Sequence, residues 1–283
     1  MSPETINAIL DFLLKLYVVS VMFAMGLTLT VPQIKEQLRR TSLMVKALLA
    51  NIVIVPLAAA ILLLLSNQSD AVVVAIVLVA CAPGYAPMLT AYSKGDLAFT
   101  AVLMFVMAVV SVVSLPLTAS LIFASQGGVQ MDPMSVIGTL VTLQLIPLLL
   151  GMVVKNFWDK MSERLITIFS TVARISIGIA FVAILILFFD QITSTIWIAL
   201  VLMIALAVIA LVSGYLLGGP GGDTKRTLAL NTVVRNLGLA LLIAGDQFSG
   251  VGAEIVVIAF AFVMYITAGI ATYSWYKEFL KPI

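Results

Sequence analysis

Apolar residues run almost without a break along this chain, and polar ones gather in brief clusters between the runs. A helix that crosses a bilayer needs about 20 predominantly apolar residues. Nine stretches qualify: roughly 7–31, 42–65, 71–93, 97–124, 133–154, 166–189, 192–217, 226–246 and 250–276. The connectors are as short as SNQSD (66–70) and SKGD (93–96), so no soluble domain fits between the spans. The pattern predicts an all-α polytopic membrane protein with nine transmembrane helices. The opening MSPETINAILDF lacks a basic region and a small-residue cleavage site, and it reads as the start of the first span.

Two of the nine depart from an ordinary spanning helix. In the third, Cys81-Ala82-Pro83-Gly84-Tyr85-Ala86-Pro87 lies well inside the apolar run. Pro83 removes a backbone donor and clashes with the preceding turn, Gly84 turns freely, and Pro87 suits the first turn of a restarted helix. In the eighth, Asn231, Thr232, Arg235 and Asn236 crowd into six residues of ALNTVVRNLGLALLIA (229–244), which predicts a softer break. Asp70 to Gly84 spans about 21 Å of helix and Asp246 back to Arg235 about 17 Å. The two segments run in opposite directions, and breaks at similar depth point to an inverted repeat with its site between them. The halves are expected at 1–126, with four helices, and 127–283, with five, meeting in SQGGVQMDP. Pro56, Pro116 and Pro147 interrupt other apolar runs, either as matching kinks or as packing features.

Charge gives the spans a direction. When the loops are assigned alternately to two sides, 12 of the 15 Lys and Arg fall on one: Lys35, Arg39, Arg40, Lys46, Lys94, Lys155, Lys160, Arg164, Lys225, Arg226, Lys277 and Lys281. The other side holds Lys15 with Asp70, Asp132, Asp190, Asp246 and Glu254. The positive-inside rule makes the basic side cytoplasmic. The expectation is a multi-pass protein of the cell (inner) membrane, N-terminus outside and C-terminus inside.

Composition then removes whole classes of function. With 63% hydrophobic and 10% charged residues the chain needs the bilayer as solvent. A net charge of +2 does not point to nucleic acid. There is no histidine, so the usual proton shuttle and metal ligand are missing, and Cys81 has no partner for a disulfide. No serine has a histidine to activate it, so nothing supports hydrolysis. GGPGG (218–222) lacks the Gly-Lys-Ser/Thr ending of a phosphate loop and reads as a flexible turn. No enzyme, cofactor or metal is expected.

Arg235 is the costliest residue in the sequence, since an arginine at the bilayer centre costs about 3 to more than 10 kcal/mol. No carboxylate stands at its depth in another segment. Its partner is therefore an anionic ligand or the helix C-terminal carbonyls freed at the break in the third segment. Asn231, Thr232 and Asn236 coordinate a cation, bind substrate, or satisfy the broken backbone. Asn51, five residues before Pro56, reaches the same region or bonds a neighbouring helix. Tyr85, Pro87 and Tyr265 complete the substrate-facing candidates. Arg174, about 12 Å into the sixth segment, reads as snorkelling to the surface.

Met25-Gly26-Leu27-Thr28-Leu29, Cys81-Ala82-Pro83-Gly84 with Lys94-Gly95-Asp96, Leu148–Gly151 after Pro147, and Asn236 through Ala240 (Asn-x-Gly-Leu-Ala) occur in that order. Over most of its length the chain resembles the bile acid:sodium symporter family, in its nine-helix form. The resemblance implies a core and a panel domain, with two broken helices crossing in the core. It also marks departures. Sodium-coupled relatives carry a glutamate and a glutamine where Asn231 and Arg235 stand. They carry a Ser-Asn pair where Tyr85-Ala86-Pro87-Met88 intervenes, two hydroxyls where Thr100 and Met104 stand, and a glutamine at Asn51. The altered cation-site positions are thus Asn51, Thr100, Met104, Asn231 and Arg235. The expected function is alternating-access transport of a small organic anion by a monomer, coupled to protons or uncoupled rather than coupled to sodium. The alternatives are sodium-dependent anion symport as in the family, and a membrane sensor or scaffold that does not transport.

Overall fold

The computed structural model describes residues 3–127, 129–188 and 192–280; Asp190 and Lys281, both placed in loops above, lie outside them. Every element among the described residues is helical. They are α1 (Pro3–Gly26), α2 (Val31–Leu38), α3 (Thr41–Leu64), α4 (Asp70–Cys81), α5 (Pro87–Tyr92), α6 (Leu97–Gln126), α7 (Pro133–Phe157), α8 (Asp159–Phe188), α9 (Ile192–Leu217), α10 (Gly222–Val233), α11 (Leu237–Gln247) and α12 (Ala253–Leu280). Eight stretches are long and apolar enough to cross a membrane, with α10 and α11 together forming one of them. The third expected segment is instead divided into α4 and α5, and α4 alone falls short of that length.

Proline sets the local form of several helices. Pro56 and Pro147 have no N–H for the carbonyl four residues earlier. Just before each, the helix widens to a π-turn, over Leu49–Ile54 and Val141–Leu145. Pro116 sits inside α6. The short helix α2 stands where the apolar pattern gives only a connector. Its start is a capping box: the Thr30 hydroxyl accepts from the Gln33 N–H at 3.5 Å, and Gln33 Oε1 accepts from the Thr30 N–H at 3.0 Å.

Depth in the bundle follows polarity all round the helix. Residues 72–81 of α4 are all buried, as a helix apolar on every face must be. The α10–α11 stretch is the most enclosed of the eight, whereas α8 keeps an exposed apolar face at Ile168, Ile175, Ile179 and Ile186. The two interrupted stretches therefore occupy the interior. Around them, helices approach through glycine. A Cβ on Gly26 would meet the Leu148 carbonyl of α7, and one on Gly151 the Phe23 carbonyl of α1, so these two helices touch backbone to backbone.

Side-chain contacts tie distant loops together at each end. At the basic end, Arg40 pairs with Asp96, the Asp96 N–H donates to Thr227 Oγ1 at 2.6 Å, and Arg226 Nη2 donates to the Lys94 carbonyl at 3.1 Å. At the opposite end the Asp132 N–H donates to Gln247 Oε1 at 3.2 Å. The loops grouped as basic by sequence thus share one end wherever these contacts reach.

Candidate functional site

The two interruptions are held against each other. After α4 the chain turns extended at Ala82, and after α10 it does so at Val234. The Asn236 N–H donates to the Ala82 carbonyl at 3.3 Å, and the Ala86 N–H to Asn231 Oδ1 at 3.1 Å. Gly84 lies so close to the Val234 carbonyl that no Cβ fits there. Asn236 then starts α11, its side chain accepting from the Leu239 N–H at 3.1 Å.

Breaking two helices in an apolar interior frees carbonyls that water cannot reach. Arg235 collects them. Its side chain, 3% exposed, donates from Nε to the Val79 carbonyl (3.1 Å) and from Nη1 to the Thr232 carbonyl (3.2 Å) and Asn51 Oδ1 (2.7 Å). From Nη2 it donates to the Asn51 carbonyl (3.4 Å) and to that of Ala80. A guanidinium has five N–H donors, and these five bonds use them all. Val79 and Ala80 lie in the last turn of α4, and Thr232 in the last turn of α10, so two helix C-termini direct their partial negative charge at one cation. Asn51 is supplied by the π-turn of α3 and is itself held by Nδ2 bonds to the Ala47 carbonyl (3.0 Å) and Thr232 Oγ1 (3.3 Å).

Asn231 organises a second polar knot. Its Nδ2 lies 3.3 Å from Thr90 Oγ1, 3.2 Å from Thr100 Oγ1 and 2.9 Å from the Thr227 carbonyl. All four residues are buried, and they join α10 to α5 and to the start of α6. Among the described residues no group of three or more His, Cys, Asp or Glu could hold a metal ion.

Beside these knots lies a cavity of about 670 Å³. Tyr85, Arg235, Asn236, Tyr265 and Met104 contribute to its wall; Pro87, Asn231, Thr232, Asn51 and Thr100 do not. Pro87 instead starts α5. The remaining wall is mainly apolar, from α1, α6, α8, α11 and α12, with two polar residues that the sequence reading did not single out, Tyr17 and Gln144. Gln144 Nε2 donates to the Ala108 carbonyl (2.8 Å) and to Ser111 Oγ (3.0 Å). A glutamine three residues before Pro147 in an apolar run was the available signal. Tyr17 packs on Gly238, where a Cβ would collide with its ring; one tyrosine in a first span offers no comparable signal.

A family model described as Sodium Bile acid symporter family matches residues 15–218. The chain is also 27% identical, over 159 residues, to a protein of Bacillus subtilis (strain 168) named "Uncharacterized sodium-dependent transporter YocS". That match covers 56% of this chain and 49% of the relative, so the chain spans about half the length of the curated relative it matches.

Proposed function

We propose a function from one premise: the chain belongs to the Sodium Bile acid symporter family. It is a secondary membrane transporter that moves a small organic anion by alternating access, without coupling to sodium in the manner of the family's symporters. The observation that carries this reading is the Arg235 guanidinium, fully hydrogen-bonded where the two broken helices meet and joined to Asn51.

By the resemblance, Arg235 takes the second sodium position, supported by Asn51 and Asn231, and both sodium positions lack their anionic ligand, since Asn231 has an amide in place of a carboxylate. The second position here has a permanent cation in its own cage of carbonyls. A sodium ion about 4 Å from a fixed guanidinium is opposed by roughly 4 kcal/mol at an effective dielectric constant of about 20, on the order of a thousandfold in affinity. In this state Arg235 offers an anion in the cavity its charge but no spare N–H. Asn236, Tyr85, Tyr265, Tyr17 and Gln144 are the other polar groups on the wall, while Asn231, Thr232 and Pro87 shape the broken backbone behind it. The finer architecture belongs to the same proposal: α4 and α5 form a ninth crossing, 1–126 and 127–283 are inverted repeats, and the broken helices cross in a core that moves against a panel. The protein works as a monomer in the inner membrane, with the basic end cytoplasmic.

The test has two stages. Thermal stabilisation across a set of organic anions identifies a ligand, and proteoliposome uptake of that ligand is then compared in sodium and in choline. Equal uptake within about twofold is expected; a large sodium dependence overturns the uncoupled reading. The name of the Bacillus relative favours the second reading, sodium-dependent anion symport, and that result would select it. A ligand that binds but is never carried into vesicles would select the sensor or scaffold.

A further inference from the structure

α8 is a membrane-length helix with two unlike exposed sides. Ile168, Ile175, Ile179 and Ile186 form one, each more than half exposed. On the other, Ile177, Gly178, Phe181 and Val182 contribute to the wall of the 670 Å³ cavity. At about 100° per residue, Arg174 falls within roughly 10° of the mean direction of these four wall residues. It stands one turn closer to the Lys160 end than Gly178. Thr167, Ser170 and Thr171 continue the same side toward Lys160 and Glu163. Arg174 is exposed, and its Nη2 donates to Thr171 Oγ1 at 3.2 Å. Among the described residues it has no ion pair.

A charged side chain on the isoleucine side would meet lipid and would have to snorkel. Arg174 is on the other side, in register with the cavity. We propose that the polar side of α8 lines a water-filled path from the basic end of the molecule to the cavity, and that Arg174 is the cationic residue that draws small organic anions along it. This departs from the snorkelling expected from sequence. Arg235 lies beyond this path, buried where the two broken helices meet, with its donors all engaged. The role assigned to Arg174 rests on the anion-transport reading, but its test does not depend on flux.

Gly178 accepts a substitution, since a Cβ there meets nothing within 4 Å. The Gly178→Cys protein is placed in lipid nanodiscs, which leave both faces open to reagent. It is treated in parallel with an anionic thiol reagent, sulfonatoethyl methanethiosulfonate, and a cationic one, trimethylammonioethyl methanethiosulfonate. The unsubstituted chain, whose Cys81 is buried, is the blank, and Ile175→Cys marks the lipid side. Gly178→Cys is expected to react and Ile175→Cys to stay inert. A unit charge about 6 Å away in watery surroundings shifts the anionic-to-cationic rate ratio by about tenfold. Adding Arg174→Gln is therefore expected to lower that ratio by about fivefold to tenfold, and Arg174→Lys to preserve it. If Gly178→Cys is as inert as Ile175→Cys, there is no water path. If Arg174→Gln leaves the ratio unchanged, Arg174 does not steer anions. Either result overturns the inference, and both can be read even where the transport reading fails.

Discussion

Replacing Arg235 by methionine keeps much of the side-chain volume and removes the cation. The carbonyls of Val79, Ala80, Thr232 and Asn51, and Asn51 Oδ1, then lose their donor together. Hydrogen bonds to a charged group contribute about 1.5–3 kcal/mol each, so five give a gross loss of roughly 7–15 kcal/mol. Relief of the guanidinium's desolvation, several kcal/mol, offsets part of this. Water can enter from the neighbouring cavity and satisfy some of the acceptors. The net cost is about 4 kcal/mol, in the range found when one partner of a buried charged pair is removed. At about 2–4 °C per kcal/mol for a chain of this order, the apparent melting temperature falls by about 8–16 °C.

The protein carries its own reporter. Cys81 is its single cysteine, is buried, and directly follows Ala80, one of the carbonyl partners of Arg235. A thiol-reactive dye in a thermal ramp reads the opening of this break, with all variants scanned at one rate because unfolding is not assumed reversible. Arg235→Lys retains the charge with three donors and should fall between wild type and Arg235→Met. If Arg235→Met melts within about 2 °C of wild type, the carbonyl cage is not what holds the broken helices together.

Four further substitutions probe the surroundings. Gly84→Ala drives a methyl into the Val234 carbonyl and should abolish a monodisperse peak in size-exclusion chromatography. Gly138→Ala, with nothing within 4 Å, should elute as wild type and gain up to about 1 kcal/mol of stability. Asp96→Ala loses the α6 cap on the Phe99 N–H (2.9 Å) and the pair with Arg40; a cost of about 1–2 kcal/mol, read as a lower melting temperature, is expected. Gly238→Ala pushes the Tyr17 ring out of its place on α11, so any anion that stabilises the wild type should stabilise this variant less while its own melting temperature falls by only a few degrees.

The two breaks were legible because their causes are local: Pro83, Gly84 and Pro87 in one, polar residues crowded into an apolar run in the other. The partner of Arg235 was legible only as a choice between an anion and freed carbonyls. Sequence places the arginine at a depth but does not fix where its guanidinium points. The π-turn that delivers Asn51 was not legible, because Pro56 announces a lost hydrogen bond without saying whether the helix kinks or widens. α2 was overlooked for the opposite reason: it is too short to register as an apolar run, although Thr30 and Gln33 spell its start. The cavity wall was hardest to foresee, since most of it is ordinary apolar packing that faces empty space only in three dimensions.

The position of Arg235 bears on coupling through a thermodynamic argument. An ion drives a carrier only if it binds the carrier's states unequally, so that its presence shifts their populations. A carbonyl cage closed by sodium would lose its cation whenever the ion dissociates, and the cost of the empty cage would fall on the states that lack it. Arg235 never dissociates. Under the proposed reading the cage stays neutralised in every state, and the core can reorient whether or not sodium is present. The sodium gradient then does no work on the cycle, and net flux follows the gradient of the organic anion alone. Exchanging Arg235 for glutamine, the residue of sodium-coupled relatives, would not restore coupling by itself, because Asn231 still supplies no carboxylate. Arg235→Gln together with Asn231→Glu should create sodium-dependent thermal stabilisation where either change alone creates none. If Arg235→Gln alone is stabilised by sodium as strongly as the double variant, the missing carboxylate is not what keeps the ion out.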